Sequence, residues 1–179
     1  VLKEELSEVY IALAINSLAL SMIGIFVPLY LMNELGYSLT KVIHFYLIWV
    51  VSSIILSPFI AKFASKHGVK QGIFISAPLY IIYLALLEFL KFNLIPFWFV
   101  AMFFALPFLF FWIGFNIDFA KFSDKKLRTK EISFFHFLMF ASVILGPLLG
   151  GLILHFSNFL TLFFVSSIIL FISVIPLMF

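Results

Sequence analysis

The side chains able to carry out chemistry are few in this sequence. It contains no cysteine, which excludes thiol catalysis, disulfide bonds and iron–sulfur or zinc sites built on cysteine. The motif His-Glu-x-x-His of zinc proteases is absent, and the apolar stretches hold no Gly-x-Ser of the kind that an intramembrane serine protease needs. The sequence therefore predicts no catalytic residue, no metal and no cofactor.

A small set of polar residues lies inside long apolar stretches. Ser17 and Ser21 are four positions apart, with Asn16 beside them, and Trp112 and Asn116 are likewise four apart. Polar side chains inside a membrane are costly and mark a pathway for solutes by default. The alternatives are packing through small residues for the serines and an anchor at the membrane interface for Trp112.

Composition places these residues in a membrane. Of the 179 residues, 65% are hydrophobic and 11% are charged, whereas soluble domains have about 45–50% apolar and about 25% charged residues. This balance excludes a soluble enzyme and a nucleic-acid-binding module, so we expect no nucleic-acid partner. A spanning helix needs about 20 apolar residues, and the last charge-free stretch is long enough to fold back near His155. The sequence predicts an all-α membrane protein with six spans, at roughly 9–33, 42–61, 71–90, 92–117, 132–154 and 158–179.

The basic residues predict the orientation. If the N-terminus is cytoplasmic, every Lys and Arg except Lys41 and Lys91 falls before residue 9, in the loop 62–70 or in the loop 118–131. Basic residues concentrate on the cytoplasmic side of membrane proteins. We therefore expect an integral protein of a prokaryotic cytoplasmic (plasma) membrane, with a cytoplasmic N-terminus and two cytoplasmic loops.

A short similarity links the second and fifth spans. Ser57-Pro58-x-x-Ala61 and Gly146-Pro147-x-x-Gly150 each place one small residue before a proline and another three positions after it. Each segment lies in the middle helix of a set of three, and the two sets cross the membrane in opposite senses. This pattern predicts two inverted three-helix repeats, an architecture found in transporters.

The fifth span carries the segment Ser142-x-x-x-Gly146-Pro147-x-x-Gly150-Gly151. Its small residues at intervals of four share one helix face and allow a second backbone to come close, while the proline adds a hinge. In this segment the sequence resembles the major facilitator superfamily, whose fifth helix often carries small-x-x-x-Gly-Pro-x-x-Gly-Gly. A generic packing helix with small residues is the alternative.

The loop 62–70 resembles a second motif of that family, the cytoplasmic signature Gly-x-x-x-Asp-Arg/Lys-x-Gly-Arg/Lys-Arg/Lys. Lys66, Gly68 and Lys70 match it by position, whereas Ser65 stands where the family has its acid. In the family that acid takes part in contacts that hold the outward-open state. On physical grounds alone, Lys66 complements a helix C-terminus and Gly68 suits a left-handed helix end.

The resemblance covers the whole chain and corresponds to the N-terminal half of a twelve-helix transporter. It implies alternating access, a small solute as substrate and a surrounding lipid bilayer. It also implies a second six-helix half, from a missing C-terminal part of the chain or from a dimer partner. In the family the first and fourth helices line the central cavity. The candidate cavity residues are therefore Asn16, Ser17, Ser21, Trp112 and Asn116.

Asp118 lies at the predicted cytoplasmic end of the fourth span, ahead of Lys121 and Arg128. A carboxylate at a helix C-terminus is unfavourable because of the helix dipole, so a base must offset it. In the resembled family an acid here often pairs with bases of the cytoplasmic loops and steadies one gating state. We expect Asp118 and Arg128, with the matched residues of the loop 62–70, to form a cytoplasmic gate. A solvated interfacial acid is the alternative.

Other functions are compatible with six spans. A channel would need an arginine-rich sensor helix or a re-entrant filter loop, and neither is visible. A membrane-embedded enzyme would need the motifs named above or clustered acids. A structural bundle without transport makes no specific demand on the sequence.

Overall fold

The structure is a computed structural model that describes residues 2–122 and 128–178, and every regular element in these two ranges is helical. The α-helices are α1 (Leu2–Gly24), α2 (Phe26–Asn33), α3 (Leu39–His67), α4 (Val69–Phe89), α5 (Phe97–Phe122), α6 (Arg128–Phe156) and α7 (Phe159–Ser173). Short 3₁₀ turns, Leu90–Phe92 and Ile175–Met178, follow α4 and α7. The prediction of an all-α chain is confirmed over the described ranges.

Five stretches of helix are long and apolar enough to cross a membrane. They are Tyr10–Asn33, Leu39–His67, Lys70–Phe92, Phe97–Lys121 and Thr129–Phe156. The helix α7 has only 15 residues, which at about 1.5 Å per residue is shorter than a hydrocarbon core of about 30 Å. The integral membrane protein is thus supported by five long helices in the described ranges, and the sixth span stays a prediction.

The helices continue past the predicted ends of the spans. The helix α3 begins where the Ser38 side chain accepts a hydrogen bond from the backbone N–H of Lys41 at 3.3 Å, and it runs on to His67. Only Gly68 separates α3 from α4, so the predicted loop 62–70 is mostly helical. Hydropathy marks where the hydrocarbon ends, whereas a helix ends where its backbone hydrogen bonding is interrupted.

The connections around α5 also differ from the predicted bounds. Part of the predicted loop 118–131 is helical, since α5 runs to Phe122 and α6 begins at Arg128; residues 123–127 lie outside the described ranges. At its other end α5 begins at Phe97 rather than at residue 92. There the chain first turns through Asn93, whose φ of 52° lies in the left-handed region.

The first predicted span, 9–33, consists of two helices. The helix α1 ends at Gly24, and α2 begins at Phe26. A proline within a helix lacks the N–H, and its ring collides with the carbonyl four residues earlier. For Pro28 that carbonyl belongs to Gly24, the last residue of α1, so the break lies where the proline removes a helical hydrogen bond. The helices α3 to α6 continue past their own prolines at Pro58, Pro78, Pro107 and Pro147.

The chain divides into two compact units. The first unit comprises the residues up to Gly24 together with those from Phe115 onward, and in it α1 packs against α6 and α7. The second unit is Ile25–Gly114, in which α3 packs against α2 and α4. This division does not follow the two predicted sets of three helices, so the inverted repeat stays a prediction.

Candidate functional site

Asn16 is a fully buried polar residue of α1 in the first unit. Neither its Oδ1 nor its Nδ2 has a hydrogen-bond partner in the part of the chain that the structure describes. The adjacent Ser17 is also buried. Leaving a polar group such as this amide unpaired in apolar surroundings costs about 2–7 kcal/mol on transfer scales. The position of Asn16 therefore calls for a partner beyond these residues.

A second unpaired polar atom of the first unit lies on α7. Ser166 is fully buried, and its Oγ has no hydrogen-bond partner among the described residues. It belongs to the buried stripe of α7, between Phe163 and Leu170, and α7 packs against α1. Ser166 was not among the residues predicted for the site, although it is a serine inside an apolar stretch, as Ser17 is.

Ser21 lies in a tight contact between α1 and α6. Its hydroxyl is within donor distance of the carbonyl oxygens of Ser142, at 2.6 Å, and Leu18, at 2.9 Å. The Ser142 hydroxyl is in turn 2.9 Å from the carbonyl oxygen of Leu138 and 3.4 Å from that of Ala14. The structure thus brings together a residue predicted for the cavity and one predicted for helix packing.

Gly146 lies directly against this contact. A β-carbon at this position would overlap the Ser21 hydroxyl and would lie 2.7 Å from the Ser21 Cβ and 2.8 Å from the backbone nitrogen of Met22. Because these neighbours include backbone, only glycine fits. The other members of the motif are buried at Gly150 and partly exposed at Pro147 and Gly151.

The two candidates on α5 fall in different units. Trp112, in the second unit, is partly buried, and its ring stands perpendicular to that of Phe111 with centroids 5.6 Å apart. Asn116, in the first unit, is exposed. A cavity role for these two residues, as for Asn16, Ser17 and Ser21, stays a prediction.

The second unit contains a cluster of rings that sequence analysis did not identify. Phe104 of α5 stacks on Trp49 of α3, with centroids 5.0 Å apart, and on Tyr83 of α4, at 4.4 Å. Tyr80 of α4 meets Phe104 edge-on at 6.3 Å. The indole N–H of Trp49 and the hydroxyl of Tyr80 are buried without a hydrogen-bond partner in the described ranges. These four residues, named here the aromatic cluster, join three helices.

The cytoplasmic motif forms the junction of α3 and α4. Lys66 is exposed in the last turn of α3, and the Gly68 N–H donates to the Ala64 carbonyl at 3.1 Å. Gly68 has φ 101° and ψ 146°, a conformation open essentially only to glycine. Its φ is positive as a left-handed helix end requires, but its ψ lies outside that region. The hydroxyl of Ser65, at the position of the family's acid, donates to the Lys62 carbonyl of its own helix at 2.8 Å.

Of the three remaining gate candidates, only Lys70 has a described side chain. Lys70 is partly buried in the first turn of α4. The side chains of Asp118 and Arg128 lie outside the described part of the structure. The cytoplasmic gate therefore stays a prediction.

The described residues include several polar groups that are buried in apolar surroundings. Within that part of the chain, no group of three His, Asp or Glu side chains could hold a metal ion. The buried polar groups without a hydrogen-bond partner in the described ranges include the amide of Asn16, the hydroxyl of Ser166 and, in the second unit, the donors of Trp49 and Tyr80. A few hydrogen-bonding groups in apolar surroundings are typical of sites for small polar molecules.

The family model of the Major Facilitator Superfamily matches residues 9–179. A search of curated proteins finds no match to the chain. The match covers nearly the whole chain, including every candidate site residue.

Proposed function

The chain belongs to the Major Facilitator Superfamily, and from this premise we propose that it is a secondary transporter that moves a small solute by alternating access. In this proposal six spans form one half of the transporter, arranged as two inverted repeats. A longer chain or a dimer partner supplies the second six-helix half. A solute site near the midplane is then open to each side of the membrane in turn. No covalent step is needed.

The exposed surfaces of α3 and α6 support the proposed second half. Only 17% of the apolar segment of each of these helices is buried, against 44% for the segments in Tyr10–Asn33 and Lys70–Phe92. Large apolar side chains stand out from both, such as Ile54 (69% exposed) on α3 and Ile144 (67%) on α6. Apolar surfaces of this extent are typical of regions that contact lipid or another protein surface. We propose that lipid covers one part and the second half another.

The distribution of bases supports the proposed orientation. The exposed residues Lys62 and Lys66 lie at the end of α3, and Lys121 and Lys130 are exposed on either side of residues 123–127. Basic residues at these helix ends favour the cytoplasmic side. We propose that the N-terminus is cytoplasmic and that the membrane is the cytoplasmic membrane of a prokaryote.

The buried amide of Asn16 is the observation that supports the proposed solute pathway. Asn16 lies six residues after Tyr10, where the first long apolar segment begins, so it sits about 9 Å along that segment at about 1.5 Å per residue. Its amide is fully buried with neither polar atom paired in the described chain. An unpaired amide at this depth is unfavourable unless water or a solute supplies its hydrogen bonds during the transport cycle. We propose that Asn16, with Ser17 beside it, binds the solute.

Thiol labelling tests this pathway, because the chain contains no cysteine. We expect a membrane-impermeant thiol reagent to label an Asn16→Cys variant from either side of sealed vesicles, since alternating access exposes the pathway to each side in turn. Ala19→Cys is the matched control: Ala19 is fully buried three residues further along α1, and it should stay unlabelled. Labelling of Asn16→Cys from neither side would make Asn16 a structural residue, and labelling from one side only would contradict alternating access.

The proposed gate is tested separately. Asp118, near the cytoplasmic end of α5, is proposed to stabilise one conformation rather than to bind the solute. We expect Asp118→Asn to change the transport rate and the balance of inward-facing and outward-facing states, with the solute affinity within each state nearly unchanged. A large loss of that affinity with an unchanged balance would assign Asp118 to the solute site instead.

A further inference from the structure

The end of the second unit opposite the loop 62–70 carries a pocket of about 330 Å³. The pocket forms where the connection between α2 and α3 meets the end of α4. Its lining residues are Glu34, Leu35, Tyr37, Leu90, Lys91 and Asn93. Pockets for small molecules have volumes from about 300 Å³ upward, so this one, named here the outer pocket, has room for a small polar group.

The charges at the outer pocket are unevenly paired. The Lys91 ammonium lies 3.1 Å from the Glu88 carboxylate and 3.8 Å from that of Glu34. The first distance is within hydrogen-bonding range, and the second is near the limit of an ion pair. One ammonium thus serves two carboxylates. The Glu34 side chain is 45% exposed and is the more weakly held of the two.

The frame around these charges is fixed by other contacts. The Tyr30 hydroxyl donates to the Leu87 carbonyl at 3.0 Å, which ties α2 to the end of α4, and the Lys91 ammonium also lies 5.2 Å from the centroid of the Tyr30 ring. The N–H of Asn93 donates to the Leu90 carbonyl at 3.1 Å and closes the turn after α4. The pocket is therefore built by backbone and ring contacts that do not depend on Glu34.

We propose that the outer pocket binds the head group of a zwitterionic phospholipid that carries a primary ammonium next to its phosphate. The lipid ammonium pairs with Glu34, and the phosphate pairs with Lys91, which keeps its shorter contact to Glu88. The charges then alternate along the series Glu88, Lys91, phosphate, ammonium and Glu34. Each charge has opposite neighbours, whereas without the head group two carboxylates share one ammonium.

The surroundings of the outer pocket favour a lipid over a soluble zwitterion. Phe92 and Leu94, directly before and after Asn93, are 69% and 72% exposed, and Leu39 at the start of α3 is 61% exposed. Trp98, 49% exposed, follows at the start of α5. Exposed apolar side chains beside charged ones at the end of spanning helices fit the boundary between head groups and acyl chains, where tryptophan is enriched. Acyl chains can therefore lie against these side chains while the head group enters the pocket.

Lipid retention tests the proposal. The purified protein is placed in nanodiscs with equal amounts of phosphatidylethanolamine and phosphatidylcholine, and the lipid that stays bound is measured by native mass spectrometry. We expect a preference for phosphatidylethanolamine, because a trimethylated ammonium cannot donate a hydrogen bond to Glu34. Glu34→Gln should lower that preference by about fivefold, which corresponds to about 1 kcal/mol for one exposed ion pair. Lys91→Met should lower the retention of both lipids.

The same retention assay includes a control variant. Lys62→Met removes an exposed lysine from the other end of α3 and should leave retention unchanged. Equal retention of the two lipids by the unaltered protein, a preference unchanged by Glu34→Gln, or a retention unchanged by Lys91→Met would overturn the proposal. Displacement of the bound lipid by free phosphoethanolamine would show that the outer pocket takes a soluble zwitterion, and it would also overturn the lipid assignment. Melting temperatures of the variants separate loss of binding from loss of fold.

Discussion

The two compact units hold their helices together by different means. In the first unit α1 and α6 meet through Ser21, Ser142 and Gly146, with hydroxyls bonded to backbone carbonyls and no space for a further side chain. In the second unit α3, α4 and α5 meet through the stacked rings of the aromatic cluster. Lipid tails are as apolar as these side chains, so close packing and hydrogen bonds must distinguish the correct helix contact. We therefore expect a larger side chain at the contact between α1 and α6 to be more destabilising than a smaller side chain in the aromatic cluster.

The largest loss of stability among these variants is expected from Gly146→Leu, at the contact between α1 and α6. The added side chain would meet the hydroxyl of Ser21 and the backbone of Met22, so α1 and α6 must move apart. Overpacking of this kind costs about 3 kcal/mol, and the hydrogen bond from Ser21 to the Ser142 carbonyl would also be lost. We expect a strongly lowered melting temperature in detergent.

Ile144→Leu is the matched control for this prediction. Ile144 lies on the same helix two residues earlier and is 67% exposed, so the control keeps helix, depth and side-chain volume but avoids the contact. Its melting temperature should equal that of the unaltered protein. Equal melting temperatures for both variants would contradict a close contact between α1 and α6 at Gly146.

A smaller loss is expected from Phe104→Ala in the second unit. The substitution removes the ring that stacks on both Trp49 and Tyr83, and each ring pair is worth about 0.5–1.5 kcal/mol beyond its buried area. Phe104 is only partly buried and its surroundings in the membrane are apolar either way, so the main loss is that of the two ring pairs. We expect a destabilisation of about 2 kcal/mol, smaller than that of Gly146→Leu, since no backbone has to move. Phe156→Ala, which trims an 82% exposed ring at the end of α6, is the control. A larger loss for Phe104→Ala than for Gly146→Leu would reverse the comparison.

A smaller loss of stability is expected when the hydroxyl of Tyr30 is removed from the second unit. The Tyr30 hydroxyl is buried and donates to the Leu87 carbonyl at 3.0 Å. Tyr30→Phe removes this bond and leaves the ring, so we expect a loss of about 1 kcal/mol in the free energy of unfolding. Denaturant titration measures it. An unchanged free energy of unfolding would show that α2 is not held to the end of α4 by this bond.

The fold could be predicted from the sequence to the extent that lipid dictates it. Apolar length alone identifies the long helices, because a chain inside hydrocarbon must pair its own backbone groups. The turn before α7 lies in the predicted region near His155, with Asn158 accepting a hydrogen bond from the Thr161 N–H at 3.0 Å. Hydropathy alone places the end of the second span at residue 61, whereas Gly68, which the sequence analysis named as suited to a helix end, marks where α3 ends.

The candidate site was predictable where polarity itself was the signal. Asn16 was singled out as a polar residue in an apolar stretch, and it is the residue with an unpaired amide. Ser21 carried the same signal but lies in a helix contact, since a serine hydroxyl can bond to a nearby backbone carbonyl. In the sequence, Trp49 and Phe104 are two of many aromatic residues, and nothing in their local pattern distinguishes them. They come into contact only because α3 and α5 pack together in the fold.

The smallest effect on stability is expected from Tyr80→Phe, the counterpart of Tyr30→Phe in the same unit. The Tyr80 hydroxyl is fully buried in the aromatic cluster without a hydrogen-bond partner in the described residues. Removing an unpaired buried hydroxyl relieves its desolvation, so the free energy of unfolding should stay the same or rise by up to about 1 kcal/mol. The same one-atom change is thus expected to lower the free energy of unfolding at Tyr30 but not at Tyr80, because only the Tyr30 hydroxyl has a partner among the described residues. A loss of stability at Tyr80 equal to that at Tyr30 would mean that the hydroxyl has a partner in the folded protein. Transport measured alongside then identifies that partner: a changed rate would assign it to the solute or its water, and an unchanged rate would assign it to a structural water.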